Sequence, residues 1–336
     1  MTDSDFPFVS IIMPIRNEAD YIERSLTSVL SQDYPHDRME VLLADGMSID
    51  TTRARITTLA SRYPDMVVTL LDNPDKVVPA GFNRALVLAK GAIIVCVSGH
   101  CEIATDYVRR CVEKLDETGA TCVGGPITTV GTTWNARSIA LAQSSHFGVG
   151  GVAFRMNQAK GRYVDTVAFG AYCREVFTTI GDFDEELVRN QDDEFNFRLI
   201  QSGGKIWLDP AISSVYYSRA SLGGLWRQYF QYGFYKVHVI QKRGAVPAWR
   251  HLVPGLFILG LVGSLLLSLV GHRRRYVWIV AGPYAVANGI ASIITAQQNW
   301  RTLPLLPVVF IVLHLSYGLG FLYGVWYWMR QLLNNQ

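Results

Sequence analysis

The stretch Phe8-Val9-Ser10-Ile11-Ile12-Met13-Pro14-Ile15 opens the regular part of the chain. Its nearly unbroken apolar run, closed by Pro14, predicts a short buried strand. A helix is predicted next, over 19–32, where apolar residues recur at helical spacing. Strands at 39–44, 67–71 and 92–97 then alternate with helices at 53–63 and 79–90. This βαβαβαβ order predicts an α/β fold with a mostly parallel sheet between helices.

Polar residues follow three of these strands directly. In sheets of this kind ligands bind beyond the carboxyl ends of the strands, so we expect these residues to converge on one crevice. No Gly-x-Gly-x-x-Gly follows the first strand and no Walker lysine occurs, which counts against dinucleotide and P-loop chemistry. The polar stretches are Pro14-Ile15-Arg16-Asn17-Glu18, Asp45-Gly46 and Ser98-Gly99-His100.

Three adjacent acids mark the stretch Asn190-Gln191-Asp192-Asp193-Glu194-Phe195-Asn196-Phe197-Arg198. Adjacent carboxylates repel each other, so such a cluster is either a solvated turn or a site that keeps one carboxylate ionised for a proton or a metal. The apolar residues that follow favour the second interpretation, with the acids in the first turn of a half-buried helix.

Charge is distributed unevenly along the chain. The first 209 residues carry 28 acidic and 20 basic residues, whereas the remainder carries 11 bases and no acid. The basic part is too apolar for nucleic acid, and anionic lipid headgroups are its expected partner. The five cysteines form no Cys-x-x-Cys pair and are expected to be free thiols. The acidic first five residues lack the apolar core of a secretory signal, which predicts a cytoplasmic N-terminal domain.

The last third of the chain has the pattern of a membrane protein. Apolar and aromatic residues form one stripe over 221–243, which predicts either a helix lying along the membrane surface or a packed core helix. Apolar segments follow at 252–270, 277–296 and 303–328, and two or three of them span, since Pro254 and three glycines interrupt the first. The predicted organisation is a cytoplasmic domain over 1–220, an interface helix and linker over 221–250, and a transmembrane region over 251–336.

Several motifs together resemble the family 2 glycosyltransferases, which have the GT-A fold. They are Val9–Glu18, the Asp45-Gly46-Met47-Ser48-x-Asp50-Thr51 turn, Ala80–Leu86, and Gln191-Asp192-x-Glu194-Phe195-x-x-Arg198, in the family's order and separations. The resemblance covers roughly 8–245. Phe147–Gly151, Phe169–Tyr172 and Arg189–Glu194 are similar to the succinoglycan glucosyltransferase branch, whose members add sugars to lipid-linked exopolysaccharide intermediates.

The resemblance implies a role for each polar stretch. It implies that Asp192 is the catalytic base. Glu18 and Asp45 could instead be ordinary helix caps, and Glu194 could simply pair with Arg198 four residues on. The nucleotide-sugar-binding residues implied are Pro14, Arg16, Glu18, Asp45, Asn83, Arg84, Ser98 and Gly99. The acceptor-side residues implied are Asp165, Phe169, Gly170, Asp193, Glu194, Arg227 and Gln228.

The expected metal motif is altered. The family normally ends strand four with Asp-x-Asp, whose second carboxylate binds a divalent metal, but this chain has Ser98-Gly99-His100. An imidazole still ligates manganese, whereas magnesium prefers oxygen, so we expect His100 to bind Mn²⁺ in preference to Mg²⁺. Glu102 is a possible second ligand, and the alternative is that His100 is only a surface histidine.

The resemblance also implies an activity and a location. The expected reaction is inverting transfer of one sugar, with glucose favoured, from a UDP-sugar to a polyprenyl-diphosphate-linked saccharide. The expected location is the inner cell membrane, multi-pass, with the catalytic domain on the cytoplasmic side. The alternatives are an enzyme that glycosylates polyprenyl phosphate directly, and a membrane scaffold that has lost metal binding. Gly148-Val149-Gly150-Gly151 is either a lid over the donor or an inert loop.

Overall fold

A computed structural model describes residues 6–156, 159–244, 246 and 249–334 of the 336-residue chain. The chain forms two compact units. The first comprises the residues up to 128 together with 153–216, and the second comprises 129–152 together with 217 onwards. The second unit therefore includes a segment inserted into the sequence of the first.

The described strands and helices alternate over the first hundred residues as the sequence predicts, with boundaries shifted by at most three residues. The strands are β1 (Val9–Ile15), β2 (Met39–Asp45), β3 (Val67–Asp72), β4 (Ile93–Cys96), β5 (Cys101–Ile103), β6 (Cys122–Gly125), β7 (Ile127–Val130), β8 (Arg162–Val164), β9 (Ala168–Cys173), β10 (Ile206–Leu208) and β11 (Ser214–Tyr217). The helices are α1 (Ile22–Leu30), α2 (Thr52–Ala60), α3 (Val78–Leu88), α4 (Tyr107–Thr118), α5 (Trp134–Gln143), α6 (His146–Val149), α7 (Glu175–Ile180), α8 (Gln191–Gln201), α9 (Leu222–Arg243), α10 (Val253–Val270), α11 (Trp278–Ala296) and α12 (Leu306–Asn334).

Eight strands form the main sheet, in the order β3-β2-β1-β4-β9-β6-β10-β8. β1 pairs in parallel with β2 and β4, and β2 pairs in parallel with β3, so the predicted parallel sheet is confirmed. β9 enters between β4 and β6 and runs antiparallel to both. The beginning of β9 therefore lies beside the carboxyl end of β4.

The sheet is covered on both faces because its strands are apolar on both. Along β1, Ile11 and Met13 point into one core cluster and Ile12 into the other, as the two-residue period of a strand requires. The first cluster also contains the buried stripe of α1, and the second contains Phe82 of α3 and Phe195 of α8. This layering explains why the strands read as continuous apolar runs.

Six helices, α5, α6 and α9–α12, belong to the second unit. Among the described residues, three helical stretches are long and apolar enough to cross a membrane: Val253–Val270, Arg274–Ala296 and Leu306–Gln331. All three correspond to the apolar segments predicted from the sequence.

α9 packs tightly on α12 through glycines. A Cβ on Gly233 would lie 2.1 Å from the Tyr317 carbonyl oxygen, and one on Gly320 would lie 2.1 Å from that of Phe230. The His238 ring stacks on Trp328, with ring centroids 3.9 Å apart. One side of α9 is therefore packed against another helix. This contact fits the packed-helix alternative for 221–243.

The inserted segment 129–152 is held by the helices of the second unit. Ser145 caps α6, and the Phe147 carbonyl accepts a hydrogen bond of 2.8 Å from Nε2 of His314 on α12. The Phe147 ring also lies 5.0 Å from that of Phe310. These contacts are those of an anchored turn, so they do not support a lid at Gly148–Gly151.

Candidate active site

Asp45, at the carboxyl end of β2, is fully buried. Its carboxylate accepts hydrogen bonds from the Ser48 backbone amide at 3.1 Å and from the Arg53 guanidinium at 2.8 Å. The same guanidinium nitrogen donates to Asp72 at the end of β3. Asp45 is thus fixed by the turn that follows β2 rather than by capping the next helix, since the Thr52 backbone amide donates to Asp50 Oδ1 instead.

The loop after β1 interlocks with the turn after β2. The Ser48 hydroxyl accepts from the Asn17 amide at 2.8 Å, and the Asn17 side chain accepts from the Ile49 amide at 3.0 Å. Asn17 has φ of 51°, a left-handed conformation that asparagine tolerates better than most residues. A Cβ on Gly46 would lie 3.1 Å from Arg16, so the two loops are in close contact. The sequence pattern alone did not indicate that Asn17 joins these two loops.

His100 comes four residues after the end of β4 and lies beside Glu18. Its Nδ1 lies 3.0 Å from Glu18 Oε1, and the two side chains are 21% and 19% exposed. The Ser98 hydroxyl lies 3.2 Å from the same nitrogen. The structure therefore brings together predicted residues from the first and fourth strand ends. Tyr216 of β11 packs edge-on against the imidazole, with ring centroids 5.2 Å apart, and no sequence pattern singled it out.

The acidic cluster forms the first turn of α8, as predicted. Asn190 precedes it in a left-handed conformation, with φ of 62°. Burial raises the pKa of the Cys96 thiol, and the nearby charge of Asp192 raises it further. Cys96 is the last residue of β4, and α8 packs on the neighbouring strand β9, where the Tyr172 hydroxyl donates to the Asn196 side chain at 2.9 Å. Asp193 follows, and its backbone amide donates to Asp192 Oδ1 at 2.9 Å.

Glu194 points away from this turn into the protein. It is 5% exposed and accepts hydrogen bonds of 2.8 and 3.0 Å from the Arg198 guanidinium. Arg198 in turn donates to the backbone carbonyls of Ile180 and Asp182. The pairing of Glu194 with Arg198 therefore joins α8 to the chain that leads into it.

Two predicted donor-site residues on α3 are engaged in protein contacts. The Asn83 side chain donates to the Phe183 carbonyl at 2.8 Å and to Glu185 at 2.9 Å, and accepts from the Phe183 amide at 3.1 Å. Arg84 forms an exposed ion pair with Asp75 at 2.6 Å. Asn83 thus supports the segment preceding α8 rather than the strand ends.

The acceptor-side residues lie in two places. Phe169 and Gly170 begin β9, beside the carboxyl end of β4, and the Phe169 carbonyl accepts from the Tyr107 hydroxyl at 2.6 Å. Asp165 is exposed and precedes this strand. Arg227 and Gln228 lie on α9 in the second unit, where Arg227 is exposed and Gln228 donates to the Tyr232 hydroxyl at 3.0 Å.

The donor set at the strand ends suits a metal with few protein ligands. The described residues contain no group of three or more His, Cys, Asp or Glu side chains arranged to hold an ion. A metal-bound histidine commonly has a carboxylate partner on the ring nitrogen that does not bind the metal. Glu18 is such a partner for Nδ1 of His100. An ion bound mainly by a ligand's phosphate oxygens and water needs only one or two such protein ligands.

The sequence matches the family model "Glycosyl transferase family 2" over residues 10–181. The chain is 32% identical to succinoglycan biosynthesis protein ExoA of Rhizobium meliloti, over 93% of both chains. It is 28% identical to a Methanococcus voltae protein over 93% of this chain and 95% of the relative. That relative's name is dolichyl N-acetyl-alpha-D-glucosaminyl phosphate 3-beta-D-2,3-diacetamido-2,3-dideoxy-beta-D-glucuronosyltransferase.

Two solved structures share the fold. The mannosyltransferase PcManGT of Pyrobaculum calidifontis, solved with GDP-Man and Mn²⁺, superposes with a TM-score of 0.59 at 20% identity, covering 93% of this chain and 87% of its own. S. aureus TarS 1-349 with UDP-GlcNAc gives a TM-score of 0.53 at 15% identity, covering 94% and 90%.

Proposed function

The chain belongs to glycosyl transferase family 2, and we propose that it moves one sugar, glucose being favoured, from a UDP-sugar to a polyprenyl-diphosphate-linked saccharide with inversion. Its first unit has the GT-A fold that the resemblance implies. The Rhizobium relative is named for succinoglycan biosynthesis, and the Methanococcus relative for an acceptor sugar carried on dolichyl phosphate. The first name supports a role in exopolysaccharide or cell-surface glycan synthesis, and the second supports a lipid-linked acceptor.

The observation that carries this proposal is the position of Asp192 in the first turn of α8, which packs on β9 beside β4 through Asn196 and Tyr172. The charge of Asp192 also raises the pKa of Cys96, at the carboxyl end of β4. Ligands of such sheets bind at this edge, so a carboxylate there can reach the reacting atoms. In the proposed step, the acceptor hydroxyl oxygen attacks C1 of the donor sugar and its proton passes to Asp192. The bond between C1 and the diphosphate oxygen breaks, and the electron pair leaves with the nucleotide diphosphate. Attack from the opposite face inverts C1.

The interlocked loops after β1 and β2 supply the proposed nucleotide site. Asp45 is buried and held in one orientation by Ser48 and Arg53, so the turn after β2 is ordered before a nucleotide binds. Arg16 lies against Gly46 in the same loop pair. Asn83 and Arg84 remain proposed donor-side residues, acting through the segments that they hold.

We assign His100, supported by Glu18, to the divalent metal. The PcManGT structure was solved with Mn²⁺, which supports a divalent metal in this fold. When bound, such an ion neutralises negative charge on the leaving diphosphate. A nitrogen ligand favours Mn²⁺ over Mg²⁺.

The second unit supports a multi-pass location in the inner membrane, with the first unit on the cytoplasmic side. Among the described residues, three helical stretches are long and apolar enough to span. With the first unit cytoplasmic, Arg273, Arg274 and Arg275 between α10 and α11 lie on the opposite side if all three stretches cross, and on the cytoplasmic side if α10 is re-entrant.

The test is mass spectrometry of lipid products from the purified full chain, incubated with Mn²⁺, a panel of nucleotide sugars, and polyprenyl acceptors with and without a saccharide. We expect a gain of one hexose on the saccharide-bearing diphosphate, lost in Asp192→Asn and after chelation. Asp65→Asn, which changes an exposed aspartate paired with His36, is the matched control and should keep full activity.

Each alternative gives a different result. A product on bare polyprenyl phosphate would favour the direct glycosylation of that lipid. No product from any donor, from a folded protein that binds no UDP, would contradict the catalytic proposal and favour a scaffold.

A further inference from the structure

The contact between His100 and Glu18 determines which ring nitrogen of the histidine carries a proton. Nδ1 lies 3.0 Å from Glu18 Oε1, and an ionised carboxylate only accepts hydrogen bonds. In the neutral imidazole, which is the form that ligates metals, Nδ1 must therefore be the donor. Nε2 is left with the lone pair.

Ser98 does not compete for this role. Its hydroxyl oxygen lies 3.2 Å from Nδ1 and 3.5 Å from Nε2 of His100. A hydroxyl bonded along one nitrogen's lone pair would be much nearer to that nitrogen than to the other. Ser98 therefore lies between the two nitrogens and does not select a tautomer, whereas Glu18 does.

Both partners are held in place independently of any ligand. The Glu18 amide donates to Thr52 Oγ1 at 2.8 Å, which ties the backbone of Glu18 to the start of α2. The Tyr216 ring packs against the His100 ring. Between the partners, a Cβ on Gly99 would lie 2.9 Å from Glu18 Cγ, so residue 99 must be small for the carboxylate to reach the imidazole.

We propose that Glu18 is a positioning residue that fixes His100 as its Nδ1–H tautomer, so that Nε2 is the nitrogen that ligates the divalent metal. This inference rests on the proposed function, since it assigns the metal to His100. The pair would replace the two carboxylates expected here with one metal ligand and one supporting carboxylate. A carboxylate behind a ligating histidine orients the ring and raises its basicity. Gly99 contributes to the same arrangement, because its lack of a side chain permits the contact between Glu18 and His100.

The first experiment observes the tautomer without any metal. The full chain, labelled with ¹⁵N at histidine, is studied by long-range ¹H–¹⁵N correlation in the absence of metal, with His100 assigned from the His100→Gln spectrum. We expect the Nδ1–H form in the wild type. Glu18→Ala should shift His100 towards Nε2–H, the form that neutral histidine prefers in water.

The second experiment measures Mn²⁺ affinity by electron paramagnetic resonance in the presence of UDP. We expect Glu18→Ala to weaken Mn²⁺ binding by about 10–100-fold, the usual cost of removing such a partner. Gly99→Ala keeps both side chains but separates them, so it should shift the tautomer and the affinity in the same direction. Glu23→Ala, which removes an exposed glutamate paired with Arg55, is the matched control and should change neither.

The outcomes separate this inference from the proposed function. An unchanged tautomer in both variants, or Mn²⁺ affinity within twofold of the wild type in both, would overturn the inference even if sugar transfer is observed. If the tautomer and affinity change as expected while the wild type transfers no sugar, the role of Glu18 is supported and the proposed function is contradicted.

Discussion

Arg53 bridges two carboxylates at the carboxyl ends of β2 and β3, and its own side chain is 40% exposed. Its guanidinium donates to buried Asp45 and to exposed Asp72, both at 2.8 Å, and these bonds raise the pKa of Arg53. Arg53→Gln should leave Asp45 less well oriented. Hydrogen bonds to charged groups contribute about 1.5–3 kcal/mol, and partial exposure lessens this, so we expect UDP to bind roughly tenfold more weakly by calorimetry.

The control for this prediction lies two residues away. Arg55 pairs with Glu23 at 3.1 Å, with both side chains largely exposed. Arg55→Gln should leave UDP affinity unchanged. Equal losses in both variants would show that general charge, rather than the orientation of Asp45, sets the affinity.

His100 offers a test of the metal preference of the site. His100→Asp replaces the proposed nitrogen ligand by oxygen and gives this position the carboxylate that the resemblance leads us to expect. Because magnesium prefers oxygen ligands, we expect the ratio of activity with Mn²⁺ to activity with Mg²⁺ to fall, to about one from well above it. Activities at saturating concentrations of each metal would measure the ratio. A ratio that does not change would contradict a metal at residue 100.

Single residues were the least predictable part of the site. The polar strand ends could be located because each follows an apolar run, and the apolar residues after the acidic cluster predicted that it begins a helix. The hydrogen bonds of Asn83 to Phe183 join residues 100 positions apart, and no local pattern specifies such a pairing. Tyr216 is similar, since it reaches His100 only through the pairing of β11 with β5.

The Glu194–Arg198 ion pair joins helix α8 to the segment of chain that precedes it. Arg198→Ala would leave Glu194, which is 5% exposed, without its ion-pair partner and would release the carbonyls of residues 180 and 182. Breaking a buried pair costs about 3–5 kcal/mol, and since Arg198 keeps 28% of its side-chain exposure we expect roughly 2–3 kcal/mol.

This loss is measurable as a lower melting temperature of the full chain in detergent, by about 5–10 °C at roughly 2–4 °C per kcal/mol. Arg55→Ala breaks an exposed ion pair and should shift the melting temperature by much less. A small shift in Arg198→Ala would mean that the pair is solvated in the folded protein.

The packing of α9 on α12 predicts different tolerances for two glycines. A Cβ on Gly320 would overlap the Phe230 carbonyl, whereas one on Gly289 of α11 meets no atom within 4 Å. Gly320→Ala should therefore force the two helices apart and cost about 1–3 kcal/mol. Gly289→Ala should be neutral or stabilising by up to about 1 kcal/mol, because alanine favours helix. Thermal unfolding in detergent would compare them, and equal stability would exclude the close helix approach.

The periodicity of apolar residues predicted both the sheet and the long apolar helices, but it did not predict which residues belong to which of the two units. The parallel sheet and the three apolar helices are confirmed, because each follows from a local pattern of burial. The assignment of 129–152 to the second unit could not be predicted in this way. Its helices are short and weakly patterned, and the residues that they pack on, such as Tyr229 and Phe310, lie far along the chain in α9 and α12.

This arrangement predicts how a truncated catalytic domain behaves. Ile139 and Ala142 are fully buried in a cluster with Leu306 and Phe310, so a chain ending at residue 220 would expose the apolar face of 134–149. We expect residues 1–220 to aggregate without detergent, because an exposed contiguous apolar patch promotes association.

Polar substitutions in the exposed apolar face test whether that face causes the aggregation. Ile139→Gln and Phe147→Gln together should raise the soluble fraction of residues 1–220 after ultracentrifugation severalfold, since both side chains belong to or pack on that cluster. Asn135→Gln, an exposed polar exchange on the same helix, should not. If residues 1–220 are monodisperse without detergent, 129–152 does not need the C-terminal helices, and the division of the chain near residue 220 describes its domains better than the two units do.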